Sequence, residues 1–416
     1  MPIRFLVLVL FSVSIQIFPV TKEDIQNRIE KILSRLPSST KAGVLIFNPL
    51  LQDTIYKLNH TTSMIPASNT KLFTTGAALN LMGGDFTLST KLLTDDNNTA
   101  DGIINGNLYI KGFGNSLFSE KDLEAMVLEL KEKGIKKVTG NIIGDDSYFD
   151  EVYTRDDWIN NEVANVKLPP ISAIVINRNR IVTTSKSGRR VRRYYSDVAN
   201  PPQYAAELLK KKLLNNGIEV LLSAQKGITP ENAVTISSKE ILLRDLLKAI
   251  NKSSDNFLAE CLFKTIGAVA SGKQGNAFYS TQAVLSFVDD NSIYSTGTSV
   301  VDGSGISRFN QITCGAIAGL LEKMYFDLKN FEDYYDSFSI AGVDGTLRHR
   351  MRGTSAENNF HGKTGTLNGV SSLSGYVTTK KNEDIIVSII FEFDRGGANL
   401  HRQIQDEIVE TLADWD

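Results

Sequence analysis

Apolar residues recur at helical spacing in several segments of the chain. Between Thr21 and Leu36, Ile25, Ile29 and Leu33 repeat every four residues, which places them on one face of a helix. Thr21 precedes this repeat and is a residue type that commonly caps a helix. Similar patterns, or runs rich in Ala and Leu, predict further helices over residues 66–81, 120–134, 201–216, 238–250 and 400–415.

Shorter apolar runs broken by turn residues predict β-strands between these helices. Residues 41–59 contain two such runs around Asn48-Pro49, and residues 372–393 contain two more around residues 380–383. Both patterns are typical of two strands joined by a turn. Residues 86–112 and 136–150 are interpreted as further strands. Helices at both ends of the chain, with antiparallel strands between and near them, indicate an α+β fold.

Residues 1–20 have the charge pattern of a secretory signal peptide. Arg4 precedes an apolar run from Phe5 to Phe18, and this run is short for a bilayer span of about 20 residues. A retained anchor, which would hold the protein at the membrane surface, and a buried N-terminal helix are the alternatives. We therefore expect the rest of the chain to be exported, to the periplasm or to the outer face of the cytoplasmic membrane.

Composition narrows the possible functions further. The 416 residues include 45 Lys+Arg and 47 Asp+Glu, a net charge of −2. This balance lacks the basic excess of a general nucleic-acid binder, so we expect no nucleic-acid partner. The four His and two Cys residues show no metal-ligand spacing, so no metal site is expected. Cys261 and Cys314 are most simply buried apolar residues, although one disulfide between them is compatible with an oxidising compartment.

Basic residues are concentrated in one short segment, residues 178–193. Ser187-Gly188 is a turn signal within it, which predicts a hairpin. A solvated hairpin face is favoured over an anion-binding patch. The seven basic residues are Arg178, Arg180, Lys186, Arg189, Arg190, Arg192 and Arg193.

Ser68 and Lys71 form the first candidate catalytic pair. If Ser68 opens the helix predicted here, Lys71 lies one turn later on the same face. A serine hydroxyl is a weak nucleophile and needs a nearby base. A lysine amine can be that base when it is unprotonated, and burial together with a second nearby cation lowers its pKa. Alone, the Ser-x-x-Lys spacing is a weak signal.

Two further candidate motifs also have ordinary structural interpretations. Ser254-Asp255-Asn256 lies between two helical segments, where Ser254 or Asp255 could simply cap the second helix. Lys363-Thr364-Gly365 is a common strand start. As part of a site, Lys363 would bind a carboxylate, the glycine would admit another backbone closely, and the strand edge would pair with an extended peptide.

The three motifs in this order are typical of serine β-lactamases and penicillin-binding proteins. Within that group the chain resembles the D-alanyl-D-alanine carboxypeptidase/endopeptidases, the class C low-molecular-mass penicillin-binding proteins. The first and second motifs of β-lactamases lie far closer together than Ser68 and Ser254, which are 186 positions apart here. Further segments that resemble the family are residues 106–123, 139–150, 250–262, 301–308 (VDGSGISR) and 341–351.

The resemblance implies a fold and a domain organisation. A β-lactamase/transpeptidase-like catalytic domain, an antiparallel sheet flanked by helices, is expected over residues 21–85 and 237–416. An inserted accessory α+β region is expected over residues 86–236. This insert is short for the family, so a second accessory domain beyond Ile171 is expected to be reduced or missing.

The resemblance also assigns catalytic roles to five side chains. Ser68 would be the nucleophile and Lys71 the base that takes its proton. Ser254 would relay a proton to the leaving amine, held by Asn256 and Lys71. Lys363 would bind the terminal carboxylate of the substrate.

Four further residues are expected to bind the substrate. Thr364 would assist Lys363 in holding the carboxylate, and Gly365 would let the substrate backbone approach. The backbone N–H groups of Ser68 and Thr366 would form the oxyanion hole. Asp145 matches a position that in some relatives approaches a cationic side chain of the substrate.

The function implied is that of a serine-type D-Ala-D-Ala carboxypeptidase, or DD-endopeptidase, with peptidoglycan stem peptides and β-lactam antibiotics as partners. The mechanism requires no cofactor. A catalytically silent cell-wall-binding protein on the same fold is one alternative, and a β-lactamase or esterase is another. The sequence leaves the oligomeric state open.

Overall fold

The computed structural model describes residues 20–158, 167–187, 190–394 and 397–416. Residues 1–19 of the predicted leader, and Arg189 of the basic segment, lie outside these ranges. The helices in chain order are α1 Lys22–Leu33, α2 Thr70–Met82, α3 Glu120–Glu132, α4 Pro201–Asn215, α5 Leu243–Ser253, α6 Asn256–Ser271, α7 Ala277–Asp290, α8 Cys314–Tyr325, α9 Phe331–Asp336 and α10 Ala398–Ala413.

The strands are distributed over one large sheet, one medium sheet and two small ones. In chain order they are β1 Lys41–Asn48, β2 Asp53–Leu58, β3 Thr87–Thr94, β4 Ile103–Ile104, β5 Leu108–Phe113, β6 Lys137–Val138, β7 Ile142–Asp145, β8 Arg180–Ser187, β9 Arg190–Asp197, β10 Glu219–Val220, β11 Ala224–Lys226, β12 Val234–Leu242, β13 Ser339–Ile340, β14 His361–Leu367, β15 Val370–Thr378 and β16 Asp384–Glu392.

The large sheet joins the two ends of the chain. Its order is β13-β14-β15-β16-β1-β2, and every neighbouring pair is antiparallel. Successive side chains of a strand point to opposite faces. Val44 and Ile46 therefore pack with α1 and α10 on one face, whereas Leu45 and Phe47 pack against the cluster that contains α2, α6 and α8. This arrangement confirms the predicted α+β fold, with an antiparallel sheet flanked by helices.

Two helices of this domain show why local sequence predicts them well. Thr21 caps α1 in a reciprocal capping box with Asp24, as the Thr21 pattern predicts. Helix α2 is buried on all sides from Thr70 to Leu79, which explains its run of Ala, Leu and Thr without a polar face.

A second group of strands and helices is inserted between α2 and α5. Its sheet has the order β11-β7-β5-β3-β12, with β5 and β11 both parallel to β7. Helices α3 and α4 cover it around a separate core. Residues 238–242 belong to β12 and pair with β3, so the prediction that a helix starts at residue 238 was wrong. The expected domain limit at residue 236 also falls inside this strand.

The basic segment forms the predicted hairpin, because β8 and β9 pair only with each other among the described strands. Arg180 bonds to Asp197 at its base at 2.8 Å. Lys186, Arg192 and Arg193 are exposed.

Cys261 and Cys314 are both buried free thiols. The disulfide that the sequence allows is therefore not formed, and both residues fill the main core as small apolar groups. None of the helices within the described ranges has the length and apolar character needed to cross a membrane.

Candidate active site

Ser68 lies on a tight turn that leads into α2. The turn is a short 3-10 segment, Ala67–Asn69, and the α-helix begins one residue later, so Ser68 precedes the α-helix instead of opening it. Ala67 has a φ of 49°, a left-handed conformation that is costly for a residue with a Cβ. Such strain is typical of functional sites, where the surrounding structure maintains it.

The amine of Lys71 is held at the centre of the site. Its Nζ lies 2.9 Å from Ser68 Oγ, 2.7 Å from Asn256 Oδ1 and 2.6 Å from the carbonyl oxygen of Ser304. The Lys71 side chain is fully buried. Burial lowers the pKa of Lys71 from 10.5 to about 8, although the nearby carboxylate of Asp302 partly opposes this shift. The amine is therefore available as a base near neutral pH.

The second motif closes the site from the junction of α5 and α6. Ser254 ends α5 in a left-handed conformation, with φ 56°, and Asn256 opens α6 with its amide oxygen on Lys71. Asp255 caps α6 by accepting a hydrogen bond from the Leu258 N–H. The capping interpretation is thus correct for Asp255, while its neighbours on either side face the site.

Arg178 supports this turn from the inserted region. Its guanidinium forms two hydrogen bonds with the Asp255 carboxylate, at 2.6 and 2.9 Å. Paired contacts of this kind restrict orientation as well as distance. This role was not predicted from the sequence, where Arg178 was one of seven basic residues in a segment.

Lys363 of the third motif contacts Ser254 of the second motif. Its Nζ, on β14, lies 2.8 Å from Ser254 Oγ and is fully buried. Burial, and the neighbouring Lys71 amine, lower the pKa of Lys363 well below its ordinary value. The Lys71 amine thus disfavours the charged form of Lys363, which is the effect expected of a second nearby cation.

The outer edge of β14 is open beside this lysine. The short strand β13 pairs only with His361 and Gly362, so within the described ranges no strand covers the edge from Lys363 onward. Thr364 donates its hydroxyl to Thr346 at 2.8 Å, and Thr366 is exposed. Such an edge can pair with an extended peptide.

Gly365 allows β14 to approach the serine turn. A Cβ at this position would overlap the Ser372 hydroxyl oxygen, and it would lie 2.8 Å from the Pro66 carbonyl oxygen and 3.1 Å from the Ser68 nitrogen. These distances are closer than ordinary packing permits. Ser372, on the neighbouring strand, donates its hydroxyl to the same Pro66 carbonyl at 2.8 Å. The absence of a side chain at Gly365 thus sets the distance between β14 and the nucleophile.

A loop from the VDGSGISR segment completes the site. Its Ser304 carbonyl accepts from Lys71, and the Ser304 N–H in turn donates to the buried Glu260 carboxylate at 2.8 Å. Asp302 accepts from the Gly305 N–H at 2.7 Å. Neither Asp302 nor Glu260 was predicted from the sequence as a site residue. A signal exists for Glu260, a single charge within the apolar run Phe257–Phe263 of α6, since an isolated acid on a buried helix needs a specific partner.

Asp145 does not join this group. It ends β7 with a fully buried side chain that pairs with Lys111 at 3.0 Å and accepts from the Thr229 N–H at 2.7 Å. Hydrogen bonds from Ser147 and Thr229 outweigh the effect of burial and lower the pKa of Asp145. Asp145 is thus an ionised, fully buried side chain that is paired within the inserted sheet, and its contact with substrate stays a prediction.

Comparison with known proteins identifies the family of this chain. The model of the D-Ala-D-Ala carboxypeptidase 3 (S13) family matches residues 25–193 and 188–415. The chain belongs to this family. The S13 assignment confirms the resemblance inferred from the motifs and, with it, the enzyme class.

Individual relatives of this S13 protein agree with the assignment. It is 27% identical to a D-alanyl-D-alanine carboxypeptidase of Actinomadura sp. strain R39, over 90% of this chain and 81% of the relative. It is 26% identical to D-alanyl-D-alanine carboxypeptidase DacB of Haemophilus influenzae, over 86% of each chain.

Solved structures show the same fold. The crystal structure of penicillin-binding protein 4 (dacB) of Haemophilus influenzae has a TM-score of 0.82 at 23% identity, covering 93% of this chain and 99% of that one. The peptidoglycan endopeptidase Bd3459 of Bdellovibrio bacteriovorus has a TM-score of 0.56 at 16% identity, covering 89% and 92%.

Proposed function

We propose that this S13-family protein cleaves the D-Ala-D-Ala end of peptidoglycan stem peptides through an acyl-enzyme on Ser68. The observation that carries this proposal is the contact of the Lys71 amine with both Ser68 Oγ and Asn256 Oδ1. Lys71 and Asn256 are 185 positions apart in the sequence. Their meeting in a buried site, beside a serine and a second lysine, has no simpler structural use.

The proposed reaction begins with proton transfer from Ser68 to Lys71. Ser68 Oγ then attacks the carbonyl carbon between the two D-alanines, and the backbone N–H groups of Ser68 and Thr366 stabilise the developing oxyanion. Removal of one such donor typically costs about 3 kcal/mol of transition-state stabilisation. Collapse of this intermediate breaks the C–N bond, and Ser254 passes a proton to the departing amine.

The leaving D-Ala is held by its carboxylate. Lys363 binds it as an ammonium group, because a carboxylate in contact favours the charged form that burial and Lys71 disfavour in the free site. Thr364 supplies a hydroxyl beside it, on the open edge of β14. Asn256 holds Lys71 in place during the proton transfers. Water then hydrolyses the Ser68 ester and restores the free serine. The same steps on a cross-linked peptide amount to endopeptidase activity, and a β-lactam amide in the same position acylates Ser68.

Location and domain limits are part of the proposal. Stem peptides lie outside the cytoplasmic membrane, which agrees with the predicted export to the periplasm or the outer membrane face. We place the inserted region at residues 86–242, because β12 pairs with β3 up to Leu242. The silent wall-binding protein is disfavoured, since each catalytic side chain has a partner in the site.

Intact-protein mass spectrometry with penicillin, followed by muropeptides, tests the proposal. The wild-type protein should gain the mass of one penicillin when it is mixed with penicillin. In a separate reaction it should release D-alanine from the muropeptides. Ser68→Ala should do neither while keeping its fold, as judged by circular dichroism. Covalent labelling of that variant would contradict the assignment of the nucleophile, and rapid turnover of a chromogenic β-lactam would favour a β-lactamase.

A further inference from the structure

A groove of about 690 Å³ begins at the threonines of the third motif. We call it the cationic groove. No Asp or Glu lines it within the described ranges. Its charged and hydroxyl-bearing lining includes Thr364 and Thr366 at one end, with Lys252, Arg348, Arg350 and Arg402 around it.

Two of these four cations form ion pairs with described residues and two do not. Lys252 forms an ion pair with Asp344, and Arg350 forms one with Asp406 at 2.7 Å. Neither Arg348 nor Arg402 has a carboxylate within ion-pair distance among the described residues. Asp406, which is paired with Arg350, also interacts electrostatically with Arg402 and partly compensates its charge. Two guanidinium groups without an ion pair of their own that border one groove form a site suited to an anionic ligand.

Their remaining contacts leave these guanidinium groups able to bind a ligand. Arg348 Nε donates to the His349 ring at 3.1 Å, and Arg402 Nη2 makes only a long contact, 3.4 Å, with Thr366 Oγ1. Arg348 is exposed and Arg402 is half-buried. Each guanidinium carries five N–H donors, so most of them stay available.

The groove lies on the leaving-group side of the reaction. Under the proposed function, on which this inference rests, Lys363 and Thr364 hold the carboxylate next to the nitrogen that departs. In an uncross-linked stem peptide the leaving group is one D-alanine and ends there. In a peptide cross-linked through diaminopimelate the leaving residue carries an equivalent carboxylate but continues into a second stem peptide, which bears further carboxylates.

We propose that Arg348 and Arg402 form a subsite for the carboxylates of this second stem peptide and so favour cross-linked over uncross-linked substrate. The chemistry at Ser68 is unchanged. The amide C–N bond breaks as the Ser68 ester forms, the second stem peptide leaves with its amine protonated, and water hydrolyses the ester. The groove adds binding energy only for a leaving group long enough to reach it.

The test compares two soluble muropeptides, a pentapeptide monomer and a D-Ala cross-linked dimer. The readout is the ratio of kcat/KM for the dimer to that for the monomer, measured on wild type, Arg348→Ala, Arg402→Ala and the double variant. Loss of a charge-assisted contact typically costs about tenfold in binding. We expect the ratio to fall about tenfold in each single variant and up to about a hundredfold in the double variant.

Two controls separate local charge from other effects. Arg192→Ala with Arg193→Ala removes the same charge from the exposed β8–β9 hairpin and should leave the ratio as in wild type. A synthetic dimer whose second-stem carboxylates are amidated, except the one beside the scissile nitrogen, should lose its advantage with wild-type enzyme. The double variant should process the amidated and free dimers equally.

Several outcomes would overturn the inference. Equal losses on monomer and dimer would mean that the groove serves only the carboxylate common to both. An unchanged ratio in the double variant would mean that the guanidinium groups do not contact the leaving group. Failure of the wild-type protein to hydrolyse either peptide or to form a penicillin adduct would instead refute the proposed function, and the subsite with it.

Discussion

Acylation of Ser68 should depend on pH through the Lys71 amine. Burial lowers the pKa of Lys71 from 10.5 to about 8. At pH 7 a base with a pKa of about 8 is unprotonated in roughly one molecule in ten, whereas at 10.5 the figure is roughly one in 3,000. The burial of this one side chain thus raises the fraction of competent enzyme by roughly 300-fold.

The direction of the pH dependence follows from this protonation. Below the pKa the ammonium form dominates and cannot accept the serine proton. The rate should therefore rise about tenfold per pH unit up to about pH 8. At higher pH it should stop rising, and it should fall where Lys363, whose pKa burial and Lys71 also lower, loses its charge. The apparent second-order rate constant for acylation reports the free enzyme, so its inflection belongs to the unliganded site.

Stopped-flow acylation with a fluorescent penicillin, from about pH 6 to about pH 10 at constant ionic strength, measures this profile. Lys71→Arg is the matched control, because guanidinium keeps the positive charge but does not deprotonate in this range. That variant should acylate very slowly at every pH. A wild-type profile that is flat, or that falls as pH rises, below about pH 8 would refute the role of Lys71 as the base.

Three other predictions can be checked directly. Lys363→Ala should slow acylation by at least about tenfold, because the charge beside the substrate carboxylate is lost; a folded variant with the wild-type rate would count against that role. Gly365→Ala should slow acylation and lower stability by about 1–3 kcal/mol, because the added methyl group presses on the serine turn. Gly319→Ala in α8 should do neither, because the nearest neighbour of its added methyl group lies at 3.4 Å. Equal acylation rates in the two variants would argue against this explanation. Cys261 and Cys314 should resist alkylation by iodoacetamide until the protein is denatured, because both thiols are buried and burial raises the pKa of Cys314 to about 12. A disulfide between them, found by non-reducing mass spectrometry, would contradict this prediction.

The site shows how neighbouring residues can serve structure and chemistry together. Asp255 caps α6 and pairs with Arg178 from the inserted region, while Ser254 and Asn256 contact the two catalytic lysines. The insert is therefore connected to the catalytic turn through one ion pair. Its loss should alter the orientation of Ser254 and Asn256, the two neighbours of Asp255.

Local sequence by itself determined most of the secondary structure and the identity of the reacting groups. The capping box of α1, the alternation of Val44 and Leu45 in β1, and the closing helix all depend on residues within one turn or one strand of each other. The catalytic motifs were recognised from their order along the chain and the family resemblance that it carries. Of these residues, Ser68 and Lys71 lie three positions apart and need only a local turn to meet.

Tertiary structure alone decided what lies around these groups. The pairing of residues 238–242 with β3 overrode their helical pattern, and the ion pair with Lys111 ties the buried Asp145 to the inserted sheet. The shifted pKa of Lys71 depends on how distant segments pack against it, as does its contact with Ser304. Residue type and spacing specify which bonds a side chain can form, but burial and long-range distance arise only when the whole chain has folded around it.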